Sequence, residues 1–246
     1  MKLALMTELI AEVQDFETKY PELVVLGFGV SAPEPRLNLV EVPGRNAPLD
    51  LTDAIGPVTF ETRQVWFSCR EFAGAKRFLL DWSTLLNRYH GQRVRVVFDD
   101  DPGYFYEGRC SLELDYINND TRDLHFVLIA DPYKYPVYSS DENWLWDPFN
   151  FETGVIRVYS NINVNGTRIV DVIAYEQPES PKFNVTLASG QASMRMLYDG
   201  DTYYLNNGAN SFPQITITSA DVHTDLNRFT FIGRGTVSIN LKGGIL

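Results

Sequence analysis

The segment DDDPGYFYEGRC, residues 99–110, joins two stretches that alternate like β-strands. Three acids followed by Pro102 and Gly103 are typical of a tight turn between paired strands. Upstream, residues 72–89 repeat apolar side chains at helical spacing, Gly91 ends that pattern, and RVRVVF (93–98) leads directly into the turn. The sequence therefore predicts a helix, a strand, an acidic turn and a second strand, in that order.

The helix before the turn has the clearest pattern. Its apolar side chains lie on one stripe at 3.6-residue spacing; they are Phe72, Ala75, Phe78, Leu79, Trp82, Leu85, Leu86 and Tyr89. We place the helix at about residues 72–90 and interpret Trp82 as a core residue rather than a cofactor-stacking one. After the turn, LHFVLIA (124–130) is apolar enough to be a central strand. The first part is thus predicted to be a small antiparallel sheet closed over one helix.

The second half shows no helical spacing from Asn143 onward. Short apolar stretches recur about every ten residues between Gly, Asn, Asp, Pro or Ser, which is typical of a β-sandwich. Asn165-Gly166 and Asp199-Gly200 can supply the positive φ angles of tight hairpins, so we predict a hairpin turn at each pair. The expected fold class is mainly β.

Composition and charge restrict the classes of function. The 246 residues carry a net charge of −11, and acids outnumber bases both in residues 1–132 (21 against 13) and in the remainder (11 against 8). Phosphate backbones require clustered Lys and Arg, so we expect no specific nucleic-acid binding. No stretch approaches the roughly 20 apolar residues of a bilayer span, so we expect no membrane insertion.

The N-terminus and the cysteines give two further expectations. Residues 1–20 space their apolar side chains as in an amphipathic helix, and acids interrupt any export signal. Cys69 and Cys110 alternate with apolar neighbours on their strands, which predicts buried thiols in a reducing compartment. A disulfide between them stays open, because sequence does not reveal their distance.

Motifs for catalysis and for cofactors are missing from the sequence. It has no HExxH, no GxSxG and no P-loop, and its three histidines lie far apart. We therefore predict no catalytic, cofactor-binding or metal residues, no cofactor and no enzyme activity. The acids Asp99, Asp100 and Asp101 could be a solvated turn, a cation site or a partner contact; the first interpretation is favoured, because adjacent residues point in different directions.

Several stretches together carry a resemblance to a known family. They are PEPRLNLVEVPGRNAPLDLTDAIGPVTFETRQVWFSC (33–69), HGQRVRVVFDDDPGYFYEGRCSLE (90–113), ADPYKY (130–135) and NWLWDPFNFETGVI (143–156). In this order, with the helix after the first, they resemble the distal tail protein of long-tailed, non-contractile bacteriophages. The final GRGTVSINLKGGIL (233–246) is similar to the end of that family's second domain.

The resemblance implies a split β-barrel with one helix in residues 1–135, a linker at 136–152 and a galectin-like β-sandwich in 153–246. It implies a homohexameric ring at the virion tail tip, assembled in the bacterial host cytoplasm. The implied partners are the major tail tube protein and a tail-associated, tail-fibre or receptor-binding protein. The family commonly begins with a short strand, whereas residues 1–22 here have a helical pattern.

Two aromatic groups are candidate contact sites. Tyr104, Phe105 and Tyr106 are candidate subunit or partner contacts, although alternate members could equally pack on their own sheet. Tyr203 and Tyr204 are candidate sugar contacts, which supports an alternative function as a carbohydrate-binding module; core packing next to a turn is the other interpretation. A further hypothesis places the acidic first domain along a channel for DNA, where negative charge would repel phosphates.

Overall fold

The computed structural model describes residues 1–55, 58–71, 78–118, 121–137, 158–218 and 227–246. The chain forms two compact units, one from most of residues 1–134 and one from residues 135–245 with Pro102–Tyr104. Both units are built mainly of β-strands, which confirms the predicted fold class. Most of the expected linker at 136–152 lies outside the described residues. None of the described helices is long and apolar enough to cross a membrane.

The first unit contains eight of the strands and all the described α-helices. Its strands are β1 (Lys2–Leu5), β2 (Leu23–Val30), β3 (Leu39–Val40), β4 (Leu49–Asp50), β5 (Arg63–Glu71), β6 (Arg93–Val97), β7 (Tyr104–Asn118) and β8 (Thr121–Ala130). Its helices are α1 (Phe16–Lys19), α2 (Thr52–Ile55) and α3 (Phe78–Tyr89), and a 3₁₀ turn spans Ile10–Glu12.

The main sheet of this unit has the order β1-β6-β7-β8-β5-β2 and is antiparallel throughout. It is curled, and Phe28 on the edge strand β2 stacks on Phe98 beyond β6 with 4.3 Å between ring centroids. As predicted, β8 is a central strand of the sheet. This open, curled sheet is the split barrel that the resemblance implied.

Aromatic rings fill the core between this sheet and its helices. Phe67 and Phe126 stack with centroids 4.4 Å apart, and Phe16 meets both rings edge-on at 5.5 and 5.6 Å. Edge-to-face and offset pairs of this kind stabilise a core beyond their buried area. Helix α3 adds Tyr89, which is fully buried. The helical pattern is thereby confirmed for residues 78–89, while 72–77 lie outside the described residues.

The expectation of one amphipathic helix over residues 1–20 was wrong. Lys2–Leu5 form β1, which pairs with β6, and only the short 3₁₀ turn and the four-residue α1 follow. Leu3 on β1 and Phe16 on α1 are both buried in the core. The apolar spacing of residues 1–20 therefore comes from two separate elements that contact the same core, and not from one helix. The pairing partner of β1, strand β6, begins at Arg93, far away in the chain, which a local pattern does not reveal.

The acidic turn forms as predicted between paired strands. The amide of Asp101 donates to the carbonyl of Phe98 at 3.1 Å, and β6 and β7 pair antiparallel on either side. Gly91 ends the preceding helix segment at a φ of +73°, a value that favours glycine. The predicted order of helix, strand, turn and strand is confirmed.

The second unit consists of strands joined by turns. Its strands are β9 (Tyr135–Pro136), β10 (Ile162–Val172), β11 (Lys182–Leu187), β12 (Met194–Tyr198), β13 (Asp201–Leu205), β14 (Gly208–Ser211) and β15 (Asn227–Asn240). β10 pairs with β15 along its whole length, while β12 and β11 pair with successive parts of the same strand. Strand β15 is therefore shared by two layers, β13-β12-β15 and β14-β11-β15, as in the predicted sandwich.

Glycines let the shared strand bend between the layers. Gly233 and Gly235 have φ angles of +154° and +150°, and a Cβ on Gly235 would lie 2.3 Å from the carbonyl oxygen of Thr186. Opposite this bend, Gly166 has a φ of +90° and pairs with Gly233. The predicted hairpin at Asn165-Gly166 is therefore wrong, because the positive φ bends a continuous strand instead.

The other predicted turn of this unit is confirmed. Asp199 and Gly200 have φ angles of +49° and +84° and join β12 to β13. Two positive φ values in a two-residue loop are the geometry that matches the twist of paired strands.

Candidate subunit interface

An exposed hairpin between β2 and β5 is the most distinctive surface of the first unit. We call residues 34–61 the arm, of which 56 and 57 lie outside the described residues. Its strands β3 and β4 pair with each other, with Val40 opposite Leu49, and form a separate two-stranded sheet. Almost every described residue from 34 to 50 is exposed.

The exposed side chains of the arm are apolar to an unusual degree. Their exposed fractions are 56% for Leu37, 50% for Leu39, 41% for Val40, 36% for Val42 and 37% for Leu49. Single exposed apolar residues are ordinary on proteins, but contiguous groups mark interaction sites. The arm is therefore a candidate contact surface.

The base of the arm is held by paired charges and backbone bonds. The guanidinium of Arg36 donates to both carboxylate oxygens of Glu61, at 2.7 and 3.1 Å. The amide of Arg36 donates to the carbonyl of Thr59, and the amide of Glu61 to that of Glu34, each at 2.8 Å. The arm therefore leaves the barrel as a paired ribbon.

The far part of the arm has its own polar contacts. The Asp50 carboxylate accepts bonds from the hydroxyl and the amide of Thr52, which hold the pKa of that carboxyl below its usual value. The Thr52 hydroxyl oxygen accepts the amide of Asn38 at 2.9 Å. At the tip, Gly44 takes a φ of +86° in a turn closed from Arg45 to Val42. Hydrogen bonds within the arm therefore determine the conformation of its far part.

Local bonds alone do not explain a stable arm. An isolated two-stranded hairpin is marginal in water unless it packs against something else. Each exposed leucine also leaves favourable burial unused, at about 25 cal/mol per Å² of apolar surface. The arm is therefore suited to bury its apolar side chains against another molecule.

A second apolar surface lies on the outer face of the main sheet. Trp66 on β5 is 41% exposed and pairs with Val127 on β8. Ile129, also on β8, is 54% exposed. The Trp66 indole lies over Gly29, where a Cβ would come within 2.7 Å of the ring. We call Trp66, Val127 and Ile129 the outer patch. The first unit thus carries two separate apolar surfaces, the arm and the outer patch.

Tyr104, Phe105 and Tyr106, the predicted subunit contacts, lie at the start of β7 and are half-buried. Tyr106 packs against the core, with its ring 6.1 Å from that of Phe98. The guanidinium of Arg95 lies 5.0 Å from the Phe105 ring centroid. The structure therefore gives these residues intrachain contacts, and their role between subunits stays a prediction.

The acids of the turn form ion pairs within the chain. Asp99 accepts the amino group of Met1 at 2.8 Å, and Asp101 accepts the Lys134 ammonium at 2.5 Å. Asp100 is exposed. The turn thus ties distant parts of the first unit together, a role that the sequence did not indicate.

The predicted sugar contacts Tyr203 and Tyr204 face opposite sides of β13. Tyr203 packs against the core, with its ring centroid 5.1 Å from that of Phe212, whereas Tyr204 is 61% exposed. Adjacent strand residues point to opposite faces. Only Tyr204 is therefore available to a ligand on the outside of the sheet.

The two cysteines are buried, as the sequence predicted. Cys69 and Cys110 are free thiols on inward-facing positions of β5 and β7. Burial raises the pKa of each thiol to about 12. On β8, Cys69 pairs with Leu124 and Cys110 pairs with Leu128. These two leucines lie at different positions along the strand, so the thiols occupy separate positions in the core.

Sequence reasoning missed the arm as a site. Leu37 and Leu39 show the two-residue spacing of a strand, and Pro43 and Gly44 mark a turn before Leu49. That signal predicts a hairpin, but only the structure shows that its apolar side chains are exposed.

Comparison with known proteins adds evidence on the fold. No family model and no curated protein matches the sequence. A crystal structure of the SPP1 Dit protein, described as a paradigm of the hub adsorption apparatus in phages that infect Gram-positive bacteria, matches over 98% of both chains with a TM-score of 0.56 and 14% identity. This chain has the SPP1 Dit fold. The agreement extends through both units.

Two further matches are weaker. Structures of the phage p2 baseplate in its activated conformation, with Sr or Ca, cover 98% of this chain and 95% of theirs. Their TM-scores are 0.36, at 10% and 11% identity, too low to carry an argument. The resemblance stated from the sequence is therefore supported by fold, through the SPP1 Dit match.

Proposed function

We propose that this protein is a structural subunit of a phage tail tip, a distal tail hub that assembles as a ring of six. The observation that carries the proposal is the shared fold with SPP1 Dit over 98% of both chains. The exposed apolar arm supports it independently, because a ring subunit needs a surface for its neighbour.

The ring contact proposed here is between two different surfaces. The arm of one subunit packs on the outer patch of the next, and the next arm continues around the ring. Repeated head-to-tail contacts form a closed ring when the rotation from one subunit to the next is a whole fraction of 360°. Such a contact needs two complementary surfaces on each chain. Arm and outer patch meet that requirement, with Leu39 on one and Ile129 on the other as exposed apolar centres.

The remaining roles follow from the hub position. The ring would join the major tail tube protein on one side to a tail-associated, tail-fibre or receptor-binding protein on the other. The protein would act through binding rather than catalysis, at the virion tail tip after assembly in the host cytoplasm. The net charge of −8 in residues 1–132, 13 bases minus 21 acids, fits a channel wall that does not retain DNA.

Electron microscopy of the purified full-length protein tests the hub proposal. We expect rings with a central opening and sixfold symmetry. Co-purification with a tail tube protein from the same phage genome would support the position in the tail. Compact particles without a central opening, at every protein concentration, would refute the ring.

A further inference from the structure

The outward face of the sandwich layer built from β13, β12 and β15 has a distinctive row of side chains. Tyr204 pairs with Arg195, Arg195 pairs with Ile232, and Ile232 pairs with Thr167 of β10. Directly opposite residues on one face have Cβ atoms about 5 Å apart. An exposed aromatic ring, a guanidinium, an apolar side chain and a hydroxyl are thus neighbours across four strands.

Apolar area extends beside this row. In the next row, Leu197 and Thr230 are opposite each other, and Thr230 is opposite Ile169, which is 54% exposed. Ile169 and Tyr204, whose exposed fraction is 61%, provide apolar surface on the two sides of Arg195. Arg234 lies two residues beyond Ile232 on β15, opposite Asn165 of β10. We call Thr167, Ile169, Arg195, Tyr204, Ile232 and Arg234 the sandwich face.

The charge of the sandwich face is opposite to that of the whole chain. Arg195 and Arg234 are exposed and have no carboxylate partner among the described residues. Among the described residues of this layer and of the adjoining β10, Asp171 on β10 is the only acid at an outward position, and both its oxygens accept bonds from Arg228, at 2.7 and 3.1 Å. In a chain with a net charge of −11, this is a locally basic surface.

The two acids of the same hairpin, Asp199 and Asp201, lie at its turn end, three residue pairs from Arg195. Asp201 pairs with Tyr198, whose ring stacks on the buried Phe229 with centroids 4.5 Å apart. Asp201 therefore lies on the core side of the hairpin, at its end, rather than beside Arg195. Asp199 belongs to the turn.

We propose that the sandwich face binds an anionic, hydroxyl-rich polymer, a glycan or polyol chain that carries phosphate or carboxylate groups. Arginine binds both groups through paired N–H donors, and its planar guanidinium holds them in a defined orientation. The Tyr204 ring provides a flat apolar surface for the C–H groups of a sugar or polyol. Thr167 adds a hydroxyl.

Other occupants fit this surface less well. Single-stranded nucleic acid requires a continuous positive groove along its backbone together with stacked aromatic rings. The sandwich face offers one exposed tyrosine and two unpaired arginines instead. This binding role goes beyond the hub role and does not require the ring contact, since arm and outer patch belong to the other unit.

Binding of the full-length protein to polyglycerol phosphate, measured by calorimetry at low salt, tests the proposal. Neutral dextran of similar length serves as the uncharged comparison. We expect wild-type protein to bind the polyglycerol phosphate and not the dextran. Arg195→Gln should weaken binding about tenfold, since it removes a charge-assisted contact, and Tyr204→Ala should weaken it by a similar factor.

Lys182→Gln is the matched control. Lys182 is an exposed cation of the same unit on β11, in the other layer, so its loss changes net charge equally. It should change affinity less than twofold. Failure of the wild type to bind, equal weakening by Lys182→Gln and Arg195→Gln, or equally tight binding of single-stranded DNA would each overturn the proposal. The mass in solution of the same variants shows whether they still form the ring. It therefore distinguishes a failure of polymer binding from a failure of the hub role.

Discussion

The arm and the barrel core of the first unit treat apolar residues in opposite ways. In the core, Phe67 and Phe126 are fully buried against each other, whereas in the arm Leu37 and Leu39 are half exposed or more. Both regions contain β-strands of the first unit. The difference teaches that burial within the subunit determines the barrel, while the apolar side chains of the arm stay exposed in the single subunit.

The same contrast separates two kinds of consequence. A substitution in the core should change the stability of the single subunit, and one on the arm or the outer patch should change association. Since the arm makes its own backbone bonds at the base, loss of its apolar side chains should leave those bonds intact.

The largest expected effect on stability comes from the core. Phe126→Ala removes a fully buried ring that stacks on Phe67 and meets Phe16 edge-on. It should lower the free energy of unfolding of the first unit by about 3–5 kcal/mol, the range for large-to-small changes at buried aromatic sites. Urea denaturation followed by tryptophan fluorescence measures it. A loss under 1 kcal/mol would mean that this core is not packed as described.

A smaller effect, on association alone, is expected at the outer patch. Ile129→Thr keeps a β-branched side chain but adds a hydroxyl to a surface that the neighbouring arm should cover. We expect the dissociation constant of the ring to rise about tenfold, as at a modest interface hot spot, with unfolding changed by less than about 0.5 kcal/mol. Sedimentation over a concentration series measures both assembly states.

Ile169→Thr is the matched control for that prediction. Ile169 has the same 54% exposure but belongs to the second unit. It should leave ring assembly unchanged. If the two variants weaken the ring equally, the outer patch has no special role.

The smallest effect is expected from an ion pair on the outside of the barrel. Bonds from Arg70, at 2.7 Å each, lower the pKa of Asp123. A lowered pKa stabilises the fold above the ordinary aspartate pKa of about 4, and this contribution is lost as the pH falls through the folded value. Wild type should therefore exceed Asp123→Asn in stability at neutral pH, and the difference should vanish in acid. Denaturation midpoints over a pH series measure it; a constant difference would contradict the assignment.

The sequence predicted the elements whose signals are local. Helix α3 was predicted from its stripe, the acidic turn from Pro102 and Gly103, and the β12–β13 hairpin from Asp199-Gly200. Strand β1 was missed because its partner β6 is distant in the chain. The buried residues of β1 and α1 also happen to be spaced as in a helix. Asn165-Gly166 was misassigned because a positive φ serves a bent strand as well as a hairpin.

The candidate interface could be predicted only in part. The apolar residues of the arm are visible in the sequence, but only their placement in the structure shows that they are exposed. The tyrosine pair at 203 and 204 shows the same limit, since only pairing of β13 reveals which ring faces outward. Family resemblance supplied the ring, which no local pattern contains.

The most direct test of the account is the mass in solution of wild type beside the double variant Leu37→Ser, Leu39→Ser. The account predicts about six times the 28.0 kDa chain mass for wild type and a folded monomer of 28.0 kDa for the variant, because the arm loses its apolar contact. Unfolding should change little, since both side chains are exposed. A wild type that stays monomeric at all concentrations, or a variant that keeps the mass of the ring, would contradict it.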